Sequence, residues 1–329
     1  MKIGKLDNEK LERLVLGRSG ATRPEVIVGP GIGEDCAVLD FGEYECVLST
    51  DPITASASRI GSLAVHITCN DVASNGVEPL AVMLTLLLPP AITEDEISEI
   101  ARQADEAAKS LGVQIVGGHT EVTSTVTQPV VSATAIGRAP KGFSAGGAGS
   151  EPGDLIAVTK KLALEGTAIA AAECENALRS YMTEHEIEAA KAMLEQISVV
   201  KEGVIAGRVG VKAMHDVTEG GVLGAVWEVC TREGVGAEIF ASELPFDSVT
   251  LALCAALDLD PMRLISSGSM LIVASGEKWE ALASALAEAG IESAVIGRVT
   301  VPESGVVMVL KNGERETVGA PGPDEIYRI

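Results

Sequence analysis

A segment rich in glycine, serine and proline, PKGFSAGGAGSEPGD over residues 140–154, divides the sequence into two parts. Such a composition is typical of connections between domains, because it favours neither a helix nor a buried strand. Each part alternates short apolar runs with amphipathic stretches, a pattern that predicts strands and helices in turn. We therefore predict an α/β protein of the α+β type with two domains, residues 1–150 and 151–329.

The composition allows a large core that contains few aromatic side chains. Of the 329 residues, 47% are apolar and 3% are aromatic, so the core is expected to be mainly aliphatic. The formal net charge of −22 repels phosphate backbones and anionic lipids, which makes nucleic acid and membranes poor partners. The same charge suits a soluble surface or, in part, sites for divalent metal ions.

The cysteines and the N-terminal residues point to the cytoplasm. The six cysteines form no CxxC pair, and we expect them to be reduced and buried. The start, MKIGKLDNEKLERL, is charged throughout and lacks the apolar core of a signal peptide. The apolar run LAVMLTLLLPP from Leu80 is too short to span a bilayer. A soluble cytoplasmic protein is expected.

The first part contains the clearest helix signal. Thr93 and Glu96 fit a T-x-x-E capping box, and Gly112 stands where the residue that ends a helix is expected. A strand over residues 113–116 should follow it. The small and apolar residues 61–75 predict another helix.

Four short acidic runs lie beside glycine or at the ends of predicted elements. They are Gly33-Glu34-Asp35, Thr50-Asp51, Asn70-Asp71 and His215-Asp216. An aspartate in such a place is often only a turn residue. Loops at strand ends can also bring distant carboxylates together, and Mg²⁺ is usually held by a few carboxylates together with substrate phosphates. Occurring together, the four runs predict a metal site.

The pair Asn70-Asp71 interrupts a helical pattern of small apolar residues. It is either a solvent-facing helix turn or a buried polar pair. A buried carboxylate requires a metal ion or hydrogen-bond donors as partners.

Two glycine-containing runs suggest places for an anion. The N–H groups of Gly117 and Gly118, after a predicted strand, suit a phosphate nest or a common turn. His119 beside them is a proton donor, a phosphate ligand or a structural cap. In the run HDVTEGG, Thr218 is predicted to cap the next helix, whose N-terminus is either simply capped or open to an anionic ligand.

Motifs of several other enzyme classes are absent from the sequence. It has no G-x-x-x-x-G-K-[ST] and no H-E-x-x-H. The run GPGIG over residues 29–33 has the wrong spacing for a dinucleotide fingerprint. A P-loop NTPase and a dinucleotide-binding fold are therefore not supported.

Seven runs along the chain resemble, in order, the aminoimidazole ribonucleotide (AIR) synthetase superfamily. They are GIGEDCAVLD (31–40), STD (49–51), CNDVASNGVEPL (69–80), GGHTEV (117–122), GDLIAVT (153–159), MHDVTEGGV (214–222) and IGRV (296–299). Members include AIR synthetase (PurM), selenophosphate synthetase, thiamine-monophosphate kinase and the hydrogenase maturation protein HypE. The resemblance covers nearly the whole chain. It implies a PurM-like two-domain fold and a homodimer whose N-terminal domains join their sheets into a barrel.

The resemblance also implies ATP and Mg²⁺ as cofactors and assigns roles by position. The implied metal ligands are Asp35, Asp51, Asp71 and Asp216. The implied contacts to the nucleotide are Arg18 and Asn70, and the glycine-containing runs add Gly117, Gly118 and Thr218 as predicted contacts. His119 and Asp216 are the candidate catalytic residues.

The pattern is most similar to the hydrogenase maturation branch, in which a C-terminal cysteine carries a carbamoyl group. This sequence ends in Tyr327-Arg328-Ile329 and its last cysteine is Cys254, so that carrier thiol is not expected. In addition, His119 stands where relatives commonly have Asp or Glu.

The sequence is therefore interpreted as an ATP- and Mg²⁺-dependent enzyme of the AIR synthase-related, HypE-like group. It would phosphorylate an amide, a carbonyl-type oxygen or a phosphate of a small substrate, by phosphoryl transfer or a dehydration or cyclo-ligase reaction. A hydrogenase maturation protein is a candidate partner. The alternatives are a non-catalytic nucleotide-binding maturation partner and a phosphotransferase similar to thiamine-monophosphate kinase.

Overall fold

The computed structural model describes residues 5–6, 8–16, 18–54, 59–143 and 149–329. The α-helices of these residues are α1 (Asn8–Leu11), α2 (Ile60–Ser74), α3 (Glu94–Leu111), α4 (Leu164–Glu173), α5 (Glu175–Leu178), α6 (Glu184–Ala192), α7 (Val200–Val209), α8 (Gly221–Glu233), α9 (Ser248–Leu257) and α10 (Gly276–Glu288). The strands are β1 (Val26–Val28), β2 (Ala37–Asp40), β3 (Tyr44–Ile53), β4 (Pro79–Leu88), β5 (Gln114–Val122), β6 (Val130–Pro140), β7 (Leu155–Thr159), β8 (Ala213–Asp216), β9 (Gly236–Phe240), β10 (Met270–Ala274), β11 (Ser293–Thr300), β12 (Val306–Val309) and β13 (Arg315–Thr317).

Contacts between residues divide the chain into two compact units. The first, here called the N-unit, consists of Arg23–Gly29 and Asp35–Ser144. The second, the C-unit, consists of Met1–Thr22, Pro30–Glu34 and Ala145–Ile329. The units are therefore not consecutive spans, because two N-terminal segments group with the C-unit. The domain boundary after residue 150 stays a prediction.

The described residues of the N-unit form a six-stranded sheet in the order β1-β2-β3-β6-β4-β5. Neighbouring strands run antiparallel except β4 and β5, which run parallel and are connected through α3. Helix α2 packs against β3 and β6, and α3 packs against α2. The buried face of the sheet carries small and aliphatic side chains such as Val47, Val82 and Ala135.

The predicted capping box of α3 is confirmed. Thr93 Oγ1 accepts a hydrogen bond from the Glu96 backbone N–H at 3.3 Å, and Glu96 Oε2 accepts one from the Thr93 N–H at 2.7 Å. Gly112 ends the helix with a φ of 69°, in the left-handed region that glycine adopts without strain. These local interactions fix where α3 begins and ends.

The described part of the C-unit contains a seven-stranded sheet in the order β13-β12-β9-β11-β7-β10-β8. Its neighbouring strands run antiparallel except β12 and β9, which run parallel. The apolar runs at 155–159 and 270–274 form β7 and β10, which pair with each other. Helix α8 packs on this sheet through Val222, Val226 and Val229.

Helices and strands are mixed in both units, which agrees with the predicted α+β class. Among the described residues, none of the helices combines the length and apolar character that a bilayer crossing requires. The cytoplasmic location stays a prediction.

Candidate functional site

The pair Asn70-Asp71 lies inside helix α2, and both side chains are buried. Asn70 exposes 0% and Asp71 5% of its surface, so the interpretation as a solvent-facing turn is wrong. Ser49 Oγ of strand β3 donates a hydrogen bond to Asp71 Oδ2 at 2.7 Å. A buried charge is destabilising unless it has partners. The hydrogen bond from Ser49 is one such partner for the Asp71 carboxylate.

Strand β3 places Asp51 on the same face of the sheet as Ser49, since side chains two residues apart in a strand point the same way. Asp51 is partly buried and pairs with the buried Ala133 of β6. The face that carries Asp51 is therefore the one that α2 covers. Ser49 binds Asp71 and shares its face of β3 with Asp51, so Asp51 and Asp71 lie in the same region of the N-unit.

Asp35 reaches the same helix one turn beyond Asp71. Ser74 Oγ lies 2.6 Å from Asp35 Oδ2 and 2.7 Å from the backbone oxygen of Asp71. A hydroxyl has one proton, so Ser74 donates to only one of these acceptors at a time. Cys36 Sγ also donates to the Asp71 backbone oxygen, at 3.2 Å.

The donor set of this region consists of hard oxygen atoms. The carboxylates of Asp71 and Asp35 accept hydrogen bonds from the hydroxyls of Ser49 and Ser74, and Asp51 lies on the same face of β3 as Ser49. Mg²⁺ prefers oxygen ligands of this kind. Burial, and then the negative charge of Asp71, raises the pKa of the neighbouring Cys69 thiol to about 12. That thiol therefore stays protonated at neutral pH. The residues present fit a magnesium ion.

Gly117 and Gly118 lie within strand β5, so the predicted turn or phosphate nest after residue 116 is wrong as a local structure. They pair with Met83 and Leu84 of β4, with φ values of 156° and 147° that favour glycine. A Cβ on Gly118 would stand 1.8 Å from the Leu84 backbone oxygen. Gly118 is therefore required by the close approach of two strands.

The sheet register separates His119 from the buried carboxylates of its own chain. Asp51, Ala133, Leu84 and Gly118 form one row across β3, β6, β4 and β5. Three strand spacings, about 14 Å, therefore lie between Asp51 and Gly118. His119 alternates to the other face of the sheet, where its Nε2 lies 3.3 Å from Glu121 Oε2 and both side chains are exposed.

A pocket of about 340 Å³ opens between α3 and β5. One wall consists of apolar side chains of α3, β4 and β6, and the other of the β5 backbone from Gly117 to Thr120. The small residues Ala101 and Ala104 of α3 leave the space. This volume is near the lower limit of the range found for small-molecule binding sites.

In the C-unit, strand β8 ends in two buried polar residues. Asp216 is 1% exposed and His215 5%. His215 Nε2 lies 2.9 Å from Glu228 Oε2 of α8, which holds the ring in place. Asp216 stays a predicted metal ligand and catalytic residue. Arg18 is exposed and donates to the Leu14 backbone oxygen at 3.2 Å, and its contact to ATP stays a prediction.

Thr218 does not cap helix α8, so that prediction is wrong. The residue before the helix is Gly220, whose φ is 90°, and no side chain caps it from that position. The Gly220 N–H instead donates to Asp324 Oδ2 at 2.6 Å. A carboxylate of the same chain therefore occupies the N-terminus of α8. The interpretation of this N-terminus as open to an anionic ligand is wrong.

Replacing Glu165 by glutamine is expected to remove a pH dependence of stability. Burial is the main cause that raises the pKa of Glu165 from 4.5 to about 7, and the negative charges of Asp324 and Glu219 add to it. Hydrogen bonds from Ser267 lower this pKa but offset only part of the increase. The folded protein then binds more protons than the unfolded chain between these pH values, so stability falls as the pH rises through this window. Between pH 5 and pH 8, the wild type should lose about 2.5 kcal/mol more than the variant.

Urea unfolding at both pH values measures this difference. The exposed Glu280→Gln on α10 is the control and should behave as the wild type. An equal pH dependence in the wild type and the Glu165→Gln variant would contradict the assignment.

The sequence matches the two domain models of AIR synthase related proteins. The N-terminal domain model matches residues 33–139, and the C-terminal domain model matches residues 151–310. The carbamoyl dehydratase HypE of Rhodobacter capsulatus is 30% identical over 78% of this chain and 74% of its own length. The chain therefore belongs to the AIR synthase-related family, as the motifs predicted. A protein of Methanocaldococcus jannaschii with the provisional name hydrogenase expression/formation protein is 27% identical over 99% of this chain and 97% of its own.

Solved structures share the fold. HypE in a HypE–HypF complex is 22% identical with a TM-score of 0.73, covering 88% of this chain and 94% of that one. HypE in complex with ATP is 21% identical with a TM-score of 0.72, covering 98% and 94%. ThiL complexed with AMPPCP and TMP is 19% identical with a TM-score of 0.70, covering 90% and 92%. These likenesses confirm the PurM-like two-domain fold.

The two hydroxyls, Ser49 and Ser74, were not among the predicted site residues. Their sequence signals are present in retrospect, because Ser49 stands two residues before Asp51 and Ser74 one helical turn after Asp71. Asp324 was also missed, since it is 104 positions from the Gly220 N–H that it accepts from.

Proposed function

We propose that this protein is an ATP-dependent enzyme that holds Mg-ATP with the carboxylates of the N-unit and phosphorylates an oxygen atom of a small substrate. The observation that carries the proposal is Asp71, a carboxylate that is 5% exposed inside an apolar helix. Ser49 holds it from β3, and Ser74 connects its backbone with the carboxylate of Asp35. A core that keeps this arrangement is suited to a divalent cation with phosphate oxygens.

Each residue of this region has a distinct task in the proposal. Asp35, Asp51 and Asp71 would hold magnesium, which supplies charge neutralisation at the phosphates when bound. Ser49 fixes the orientation of the Asp71 carboxylate through the 2.7 Å hydrogen bond. Ser74 does the same for Asp35. The chain thus contributes positioning, which is the main requirement of phosphoryl transfer.

The remaining predicted residues are proposed on the strength of their family motifs. Asp216 is proposed as a further metal ligand and as a catalytic residue. Asn70, which adjoins Asp71, is proposed as a contact to the nucleotide. Arg18, Gly117, Gly118 and Thr218 stay predicted nucleotide contacts, and His119 stays a predicted catalytic residue.

An amide or carbamoyl-type oxygen is the proposed acceptor. Relatives named carbamoyl dehydratase support it, since one of them is 30% identical to this chain. A phosphate acceptor is the second candidate, favoured by the fold likeness to ThiL complexed with AMPPCP and TMP. Release of ADP from Mg-ATP, measured with amide-, carbamoyl- and phosphate-bearing compounds in turn, distinguishes the two. Tight ATP binding without turnover would support the non-catalytic alternative, and absence of ATP binding would refute the proposal.

A homodimer formed through the N-unit sheet is the proposed assembly. Strand β4 and its neighbour β5 expose Leu80, Met83 and Val116 to 58%, 45% and 54% on that sheet. Met83 pairs with Thr134 of β6, whereas Leu84 and Val82 point to the face that the helices cover. A second copy would bury these exposed apolar side chains.

Met83→Asp is expected to convert the dimer into a monomer, because it places a charge in the centre of the apolar face. The mass measured by light scattering should fall from twice the chain mass to one chain mass. Leu251→Asp is the matched control, since Leu251 is 48% exposed on α9 of the C-unit. A monomeric wild type, or a Met83→Asp protein that stays dimeric, would contradict this assembly.

A hydrogenase maturation protein is the proposed heterologous partner. The provisional name of the relative from Methanocaldococcus jannaschii and the solved HypE–HypF complex support it.

A further inference from the structure

The seven-stranded sheet of the C-unit has two faces, and helix α8 packs on one of them. The residues of β9 and β12 that pack with α8 are Ala237, Ile239, Val306 and Met308. Side chains alternate along a strand, so the residues beside these four point to the opposite face. On β9, β11, β12 and β13 this second face carries Glu238, Phe240, Arg298, Val307, Val309, Arg315 and Thr317. We call these seven residues the open face.

The open face continues a surface that helices cover farther along the sheet. One row of paired residues crosses the sheet from β10 to β13 and consists of Ala274, Leu155, Arg298, Glu238, Val307 and Thr317. Ala274 is buried in the core cluster that α7 and α10 help to form. Farther along the row, Arg298 and Thr317 are exposed and Val307 is partly exposed. In the part of the chain that the structure describes, the cover provided by α7 and α10 therefore stops before the open face.

The charged side chains of the open face form one ion-paired group. Arg298 Nη2 lies 2.5 Å from Glu238 Oε2, and Arg315 Nη1 lies 2.5 Å from Glu238 Oε1. The arginine side chains are 58% and 57% exposed, whereas that of Glu238 is 7% exposed. Glu316 of β13 pairs with Met308 and therefore points to the face of α8. Two arginines and one glutamate leave a positive charge on the open face of a chain whose net charge is −22.

The two arginines have more hydrogen-bond donors than Glu238 can accept. A guanidinium has five N–H groups, and a carboxylate accepts about four hydrogen bonds. Glu238 accepts from Nε and Nη2 of Arg298 and from Nη1 of Arg315. The remaining N–H groups belong to side chains that are more than half exposed. They are suited to the carboxylate of another molecule, since arginine binds carboxylates through paired N–H groups.

Apolar side chains beside the arginines limit the kind of partner that fits. Phe240, Val307 and Val309 are partly exposed, and Arg298 lies over the Phe240 ring at 6.0 Å. A sheet face that carries apolar side chains is usually covered by helices, as α7 and α10 cover the β10 end of this one. We propose that the open face docks an amphipathic helix of a partner protein, with a glutamate or aspartate beside the apolar stripe of that helix.

In this complex the apolar residues of the helix pack on Phe240, Val307 and Val309. Its carboxylate binds Arg298 and Arg315 beside Glu238. Charge complementarity selects an acidic helix, because the open face is positive and an uncharged helix would lack the contact to the arginines. The surface lies within the C-unit, and its test needs no ATP.

Fluorescence anisotropy with two synthetic peptides tests the proposal. Both are labelled helices of about 18 residues, rich in leucine and alanine, which differ only in carrying glutamate or glutamine beside the leucine stripe. At about 0.15 M salt, repulsion by the net charge of the chain is screened beyond about 8 Å. The wild type should bind the glutamate peptide about two- to fivefold more tightly than the glutamine peptide. The amide signals of Phe240 and Val307 in ¹⁵N-labelled protein should shift on binding.

Three variants change the open face and test whether its charge sets this ratio of the two affinities. Glu238→Gln adds one positive charge and should raise the ratio by about two- to fivefold more. Arg315→Gln removes one positive charge and should lower the ratio to about one. The double variant Glu238→Gln with Arg315→Gln has the wild-type charge and should restore the ratio. This double variant also serves where Arg315→Gln fails to fold, because it leaves no buried carboxylate that has lost a partner.

Arg179→Gln is the matched control, since Arg179 of the C-unit is 54% exposed and pairs with Glu175. It should leave the ratio unchanged. Equal binding of the two peptides by the wild type, an unchanged ratio in Glu238→Gln, or absence of binding of either peptide would overturn the proposal. A light-scattering mass that falls in Arg315→Gln would also overturn it, because a second copy of the chain would then cover the open face.

Discussion

Asp71→Asn is expected to lower ATP-dependent turnover by a factor on the order of 100 or more. The substitution keeps the shape of the side chain and removes its negative charge. An amide is a much poorer ligand for Mg²⁺ than a carboxylate, so the variant should lose the metal that neutralises the phosphates. ATP affinity in the presence of Mg²⁺ should fall with turnover, whereas the weaker Mg²⁺-independent binding should change little.

The same variant has a stability readout that separates a functional role from a structural one. Without Mg²⁺, removal of a buried charge should leave the thermal unfolding temperature unchanged or raise it. Adding Mg-ATP should stabilise the wild type and not the variant. Asp105→Asn on α3 is the control, because Asp105 forms an exposed ion pair with Lys109. Full activity of Asp71→Asn would contradict the proposed metal site.

Gly118→Ala is expected to destabilise the protein by about 3 kcal/mol or more, from backbone strain together with a steric clash. A Cβ at this position would stand 1.8 Å from the Leu84 backbone oxygen, so β5 must separate from β4. Gly117→Ala is a close control. Gly117 has a similar φ, 156° against 147°, but a Cβ there would have no atom within 4 Å apart from its chain neighbours. Only the strain should remain at that position, about 1–2 kcal/mol.

Urea unfolding of the two glycine variants measures the difference. A loss at residue 118 that clearly exceeds the loss at residue 117 supports the steric account. Equal losses would contradict it. If the Gly118→Ala protein were stable but no longer bound ATP, that result would support the predicted phosphate nest and not the steric explanation.

The elements that could be predicted from the sequence are those with local signals. Helix α3 carries its own capping box and terminal glycine, and strands β7 and β10 are apolar runs between clear breaks. Strand β9 was missed, because Glu238 stands within it. That carboxylate is accommodated by Arg298 and Arg315 of the strands β11 and β13, which no local pattern indicates.

The errors at the candidate site have the same physical origin. A Gly-Gly pair is common in turns, but parallel pairing with β4 keeps Gly117 and Gly118 extended. Thr218 has the chemistry of a helix cap, yet Asp324 from a distant segment binds the Gly220 N–H instead. The carboxylates of the N-unit could be predicted as a group, whereas the hydroxyls that orient them depend on how β3 and α2 pack.

The most direct test of the proposed ATP site is a crystal structure with Mn²⁺ and a non-hydrolysable ATP analogue. Mn²⁺ replaces Mg²⁺ and is located by its anomalous scattering. We expect an anomalous peak about 2.1 Å from a carboxylate oxygen of Asp71, shared with phosphate oxygens of the nucleotide. A bound nucleotide whose metal ions have no ligand among Asp35, Asp51 and Asp71 would contradict the account.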